Sequence, residues 1–86
     1  MKVIQGQRGW PDLFIAEPGK RFKYHGLFIE LKAEGTRLFK KNGEPADDHI
    51  REQDNMLKGL RSRGFVAEFS VGLESAIQTI DKYMKL

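Results

Sequence analysis

Leu27-Phe28-Ile29-Glu30-Leu31-Lys32-Ala33 is the stretch on which the fold turns. It is too apolar for a loop. Its alternation predicts a strand with Leu27, Ile29 and Leu31 on one face and Phe28, Glu30 and Lys32 on the other. Glu30 and Lys32 therefore point the same way. A carboxylate on a sheet wall costs free energy unless a cation or hydrogen bonds compensate it. Upstream, Trp10-Pro11 turns the chain into Asp12-Leu13-Phe14-Ile15-Ala16. Proline has no N–H for a ladder but is tolerated at the first residue of a strand, so a strand is expected from Asp12 to Ala16. Leu13 and Ile15 share one face and Asp12 the opposite one. Glu17-Pro18-Gly19 ends this run, and a polar, basic stretch over residues 20–25 leads to Gly26 and the second strand. The two strands read as an antiparallel pair with a loop long enough to reach a ligand.

Downstream, Gly35 closes the second strand, and residues 36–46 hold the turn signals Asn42-Gly43 and Pro45, read as a mobile loop. Asp47 or Asp48 can cap a helix to about Arg63, with acids in its first turn, Arg61 and Arg63 in its last, and Gly64 terminating it. Ile50, Gln53, Leu57 and Leu60 share its inner face. Phe65-Val66-Ala67-Glu68-Phe69-Ser70 reads as a third strand. Leu73, Ala76, Ile77, Ile80 and Met84 give a closing helix its apolar stripe. Residues 2–7, with Gly6 among them and Gly9 just beyond, read as an arm or an irregular edge strand rather than a helix. The expected order is β-β-α-β-α, with a helix joining the second and third strands in a parallel crossover. The fold class is α/β (α+β), a small mixed sheet flanked by helices, and residues 1–86 read as one domain.

A chain of 86 residues buries only about 60% of the surface its unfolded form exposes, so its core is marginal and a partner subunit would help it. With no cysteine, disulfides and thiolate metal sites are excluded, and any metal must be held by oxygen or imidazole. No apolar run approaches the roughly 18 residues of a membrane span, and the chain is expected to be soluble and cytoplasmic. The net charge is +3, unevenly spread. Residues 19–41 carry Lys20, Arg21, Lys23, Lys32, Arg37, Lys40 and Lys41 against Glu30 and Glu34, a local balance of +5. Lys58, Arg61 and Arg63 form a second cluster, and residues 42–56 between them hold five acids and one arginine. A solvated surface accounts for either cluster alone. The first, however, brackets the Glu30/Lys32 strand in sequence, which favours phosphate contacts.

The chemistry open to these positions is phosphodiester hydrolysis. The anionic oxygens of a phosphodiester repel a nucleophile and its alkoxide leaves poorly; a divalent cation offsets both. Magnesium takes oxygen ligands, and Asp12, Glu30 and the backbone carbonyl of Leu31 would supply three. Lys32 could orient and deprotonate a water or offset charge on the phosphate oxygens. Gln53, polar on an apolar helix face, could bond a ligand, the water or DNA.

Gly9-Trp10-Pro11-Asp12-Leu13, then Phe28-Ile29-Glu30-Leu31-Lys32-Ala33, then Gln53 on the helix that ends before Gly64-Phe65, resembles the virus-type replication-repair nuclease (VRR-NUC) group of the PD-(D/E)xK nuclease superfamily. The resemblance covers residues 9 to about 70. It implies a restriction-endonuclease-like core and a structure-selective DNA endonuclease dependent on Mg2+ or Mn2+. Asp12 and Glu30 would be metal ligands with the Leu31 carbonyl, Lys32 the catalytic lysine, and Gln53 the helix-borne polar residue. Lys20, Arg21, Lys23, Arg37, Lys40 and Lys41 would contact DNA. Small stand-alone members are associated with phage and bacterial genomes and with homodimers acting on branched DNA such as four-way (Holliday) junctions. This chain departs from many superfamily members in having no acid among the eleven residues before Asp12.

Glu30 and Lys32 could also be a solvent-facing pair, Asp12 a turn residue, and Gln53 a cap on a strand end. All four would then have to be incidental together. His25 and His49 read as loop and helix-start residues, and Trp10 as core or interface. A non-catalytic nucleic-acid-binding module would keep the basic loops but has no use for Asp12, and a small oligomerisation domain gives no reason for acids on a sheet face.

Overall fold

The computed structural model describes residues 3–5, 10–19 and 21–86. Residues 1–2 and 6–9 and Lys20 lie outside them. Six elements follow in order: β1 (Val3–Gln5), β2 (Leu13–Ile15), β3 (Leu27–Lys32), α1 (Asp48–Ser62), β4 (Val66–Val71) and α2 (Leu73–Met84). The sheet has the order β1-β2-β3-β4. β1 and β2 are antiparallel, β2 and β3 are antiparallel, and β3 and β4 are parallel across the α1 crossover. Five elements were expected; the addition is β1, paired Val3 to Ile15 and Gln5 to Leu13. It takes the edge-strand alternative left open for this segment.

The alternation along β3 is realised as two separate cores, because helices cover both faces of the sheet. Ile15, Leu27 and Ile29 are fully buried with Tyr83 of α2, and Ile80 and Met84 pack beside them. On the opposite face Phe28 packs with Leu57 and Leu60 of α1 and with Ala67 of β4; Phe14, Phe65 and Phe69 join them. Phe14 and Phe28 stack with ring centroids 4.4 Å apart, and the Phe65 edge meets Phe28 at 5.1 Å.

α1 begins and ends as its sequence dictates. The Asp47 carboxylate caps the helix by accepting from the Ile50 N–H at 2.8 Å. At the other end the Phe65 N–H donates to the Leu60 carbonyl and the Gly64 N–H to the Arg61 carbonyl, the Schellman pattern, which needs the left-handed backbone of Gly64 (φ 92°). A Cβ on Gly64 would also lie 2.7 Å from the His25 ring. His25 is thus a packing residue, its N–H donating to the Gly64 carbonyl.

Two expectations change. In α2, Ala76, Ile80, Tyr83 and Met84 face the sheet, whereas Leu73 and Ile77 are 75% and 50% exposed. The stripe is rotated toward Tyr83, whose hydroxyl donates to the Glu17 carbonyl. Residues 36–46, expected as a mobile loop, instead form a hydrogen-bonded hairpin. Phe39 bridges Pro45, Lys40 and Glu44 bond through their backbones at 2.7 Å, and the Phe39 ring packs edge-on against Phe69 at 6.4 Å.

The second basic cluster is engaged within the fold. Lys58 pairs with Asp54 at 3.1 Å, and Arg63 donates to the Gly59 carbonyl. Arg61 Nε donates to the Ala67 carbonyl at 2.7 Å. The Val66 N–H donates to the carbonyl of Gly26, just before β3, and the Gly72 N–H to that of Lys32 at its end, so the alternate residues Ala67, Phe69 and Val71 direct their backbone groups toward the open edge of β4. Arg61 therefore occupies one of that edge's acceptors.

Candidate functional site

Glu30 lies in the third position after Leu27 on the central part of the sheet, facing α1, where the register sets it beside Phe69. It is 6% exposed, an unusual place for a carboxylate. Its environment explains how it is tolerated. Gln53, one turn before Leu57 on the buried face of α1, donates from Nε2 to Glu30 Oε1 at 2.6 Å. Burial pushes the Glu30 carboxyl up to about 7; the like charge of Asp12 and a hydrogen bond between the two carboxyls add to the rise, while Lys32 opposes it.

Asp12 reaches the same point from the neighbouring strand. The β2–β3 ladder pairs Leu13 with Ile29, and continuing it sets Pro11 opposite Leu31. In a regular ladder Leu31 would exchange two bonds with its partner, but proline has no N–H. The Leu31 N–H is taken instead by Asp12 Oδ2 at 2.8 Å. The Leu31 carbonyl points to the same side as its N–H, where Pro11 has no donor to give it. The proline thus ends the pairing and opens the sheet between the strands, with its own ring fully buried and Asp12 exposed. Lys32, half-buried, ends β3 on the Glu30 face, and its carbonyl accepts from the Gly72 N–H at 2.8 Å.

Four of the expected residues, Asp12, Glu30, Lys32 and Gln53, thus gather with the Leu31 carbonyl at one end of β3. The donor set for a cation is two carboxylates and a carbonyl; among the described residues no cluster of three or more His, Cys, Asp or Glu side chains forms. The set fits a hard divalent cation. Gln53 Oε1, the other atom of the amide that meets Glu30, is buried without a hydrogen-bond partner. Two adjacent carboxyls, one of them holding its proton up to about pH 7, are also what a cation would relieve.

The expected DNA contacts separate in space. Arg37, Lys40 and Lys41 are exposed on the hairpin that follows β3, which Phe39 anchors beside Glu30's neighbour Phe69. Arg21 and Lys23 are exposed on the loop between β2 and β3, which joins the ends of those strands away from Asp12 and Glu30. Bracketing in sequence therefore does not mean flanking in space. Sequence reasoning also left Trp10 in the core or an interface. It is 49% exposed, tilted 5.7 Å from Phe28, and with Asn55, Met56 and Arg63 lines a groove of about 650 Å3 along α1. Reading Pro11 as the end of a ladder, rather than as the start of a strand, would have shown from sequence why the Leu31 carbonyl, already named there, receives no ladder donor from Pro11.

No family's sequence model matches this chain, and no curated protein matches it either. A search by structure is positive: a solved structure described as a VRR_NUC domain protein superposes with a TM-score of 0.68 at 25% identity, over 95% of this chain. The chain spans 66% of that protein's length. With the Pro-Asp and Glu-x-Lys positions adjacent on this fold and a glutamine reaching Glu30 from α1, the likeness to that VRR_NUC domain protein supports the resemblance of this chain to the VRR-NUC family.

Proposed function

We propose that this chain is a divalent-metal-dependent, structure-selective DNA endonuclease. Its substrate is branched DNA, such as a four-way junction, and it works as a homodimer with Mg2+ or Mn2+. The observation that carries this reading is the convergence of Asp12 and Glu30 where β2 and β3 part, with Gln53 holding Glu30 and presenting an unpartnered Oε1. Asp12, Glu30 and the Leu31 carbonyl would hold the ion. When bound, it supplies charge neutralisation at the scissile phosphate and at the leaving alkoxide. Gln53 fixes the Glu30 carboxylate through one amide atom and keeps the other for a water or phosphate. Lys32 Nζ, on the same face, orients the attacking water and offsets the charge gathering on the non-bridging oxygens. Arg37, Lys40 and Lys41 on the adjoining hairpin bind the flanking backbone. A homodimer would cover apolar surface that a small core leaves open, Leu73 and Ile77 included, and would bring two sites to a symmetric branch.

The test is cleavage by the purified protein of linear, flap and four-way DNA in magnesium, manganese or EDTA. Metal-dependent nicks at or near the branch are expected, with none in EDTA. Salt-dependent retention of branched DNA that stays uncut in every metal would replace this reading with the non-catalytic binding module.

A further inference from the structure

The loop between β2 and β3 presents Phe22 in a way that packing does not explain. It is 80% exposed, the most exposed of the large apolar side chains among the described residues. It is also their one non-glycine residue with positive φ, at 55°, a left-handed conformation costly for a side chain with a Cβ. The base of the loop is fixed. The Arg21 N–H donates to the Leu86 carbonyl at 2.8 Å, the Phe22 N–H to the Gly19 carbonyl, and Tyr24 packs against the buried Tyr83. A rigid stem thus holds an aromatic ring out in water.

The surroundings of the ring say what it meets. Arg21 and Lys23 flank it and are exposed, Lys85 adjoins the Leu86 anchor, and residues 18–26 contain no acid. An aromatic face between cations matches a nucleobase between phosphates, since every base offers a face for stacking while the cations take the backbone on either side. An intact duplex has no free base face; a branch point does. The three-residue step from Leu27 to Glu30 alone spans about 10 Å, equivalent to about three nucleotides along a strand, so Phe22 would act on a base well away from the scissile phosphate. We propose that Phe22, on the loop between β2 and β3 and flanked by Arg21 and Lys23, stacks on the exposed face of an unstacked base at the branch point of branched DNA and so sets the preference for a branch over intact duplex. This rests on the nuclease reading only for the identity of the partner as DNA.

The test compares the wild type with Phe22→Ala, Phe22→Gly and Phe22→Trp. Binding to a four-way junction and to a linear duplex of the same sequence is measured in EDTA, with 2-aminopurine at the branch. Phe22→Ala and Phe22→Gly are expected to weaken junction binding by about tenfold, within the range of roughly 5- to 160-fold for one stacked base, and to leave duplex binding unchanged. Phe22→Trp should keep the preference, and only proteins with an aromatic ring at position 22 should alter the 2-aminopurine fluorescence. Because the side chain is exposed, folding is not at stake; glycine should hold or raise the melting midpoint by relieving the left-handed strain. Equal junction affinity in wild type and Phe22→Ala would overturn the proposal. So would an equal loss on junction and duplex, or a shift from dimer to monomer, which would assign Phe22 to a second copy of the chain. The two readings fail separately: a Phe22-dependent junction preference without cleavage in any metal removes the nuclease, whereas metal-dependent cleavage with a Phe22→Ala that binds like wild type removes only the stacking role.

Discussion

The two faces of β3 are built from alternate residues of one six-residue strand, yet they serve different ends. Toward α2 the strand offers Leu27 and Ile29, fully buried against Ile15 and Tyr83. Toward α1 it offers Phe28, packed among Leu57, Leu60 and Ala67, and then Glu30, buried with a glutamine for a partner. The first face is apolar over its whole length and closed over Leu27 and Ile29, with Leu31 half-buried at its end. The second is apolar only as far as Phe28 and polar beyond, where the sheet opens at Pro11. On the proposed function, the pleat of a single strand separates stability from chemistry, so that neighbouring substitutions should behave oppositely.

The largest expected contrast is in cleavage. Asp12→Asn or Glu30→Gln should abolish it while leaving DNA binding intact or tighter, since each removes a cation ligand and also a charge that repels phosphate; full activity in either variant refutes the site. One residue away, Ile29→Ala should cost about 2–5 kcal/mol of stability, as expected of a fully buried aliphatic side chain, measurable by urea unfolding. A loss below about 1 kcal/mol would mean the α2 face is not the closed core described. Lys32→Ala should fold normally and lose about a hundredfold in cleavage rate, the usual scale for one acid–base or charge-stabilising group. A variant that cleaves at the wild-type rate makes Lys32 a surface residue.

A smaller effect sharpens the contrast through pH. The Glu30 carboxyl sits at about 7 in the folded protein against 4.5 as its ordinary value. A raised carboxyl pKa favours the fold fully below pH 4.5 and progressively less as pH rises through 7. Without metal, the melting midpoint of the wild type should therefore fall across that window relative to Glu30→Gln, and added magnesium or manganese should restore the wild type alone. Parallel profiles in calorimetry would show that Glu30 is not the strained member of the α1 face. Last, replacing Lys40 and Lys41 should lower the log–log salt slope of DNA binding by up to about one unit per lost phosphate contact. An unchanged slope would turn the hairpin away from DNA.

Much of this division was legible in the sequence. The alternation of β3 assigned Leu27, Ile29 and Leu31 to one face and Phe28, Glu30 and Lys32 to the other, and Asp47 and Gly64 marked the ends of α1. Gln53 was placed on the inner face, where it reaches Glu30. What was not legible depended on distant partners. Three residues of β1 carry too little pattern to announce a strand; their pairing with β2 makes one. Tyr83 was passed over because the stripe of α2 was read from aliphatic residues, although it lies seven residues, two turns, beyond Ala76. The basic residues of 19–41 looked like one group because charge along a chain does not say which end of a strand a loop joins. Residues 36–46 looked loose because the Phe39–Phe69 contact spans thirty positions of sequence.

The Arg61 guanidinium on the Ala67 carbonyl bears on how copies of this chain meet. β4 is six residues long and lies at the margin of the sheet, the kind of strand on which further strands are readily laid down, natively or in aggregates. A neighbour adding itself there would first have to displace an arginine tethered by α1. The fold thus bars one route to association, and a specific assembly is left to side chains rather than to backbone, where recognition can discriminate between partners.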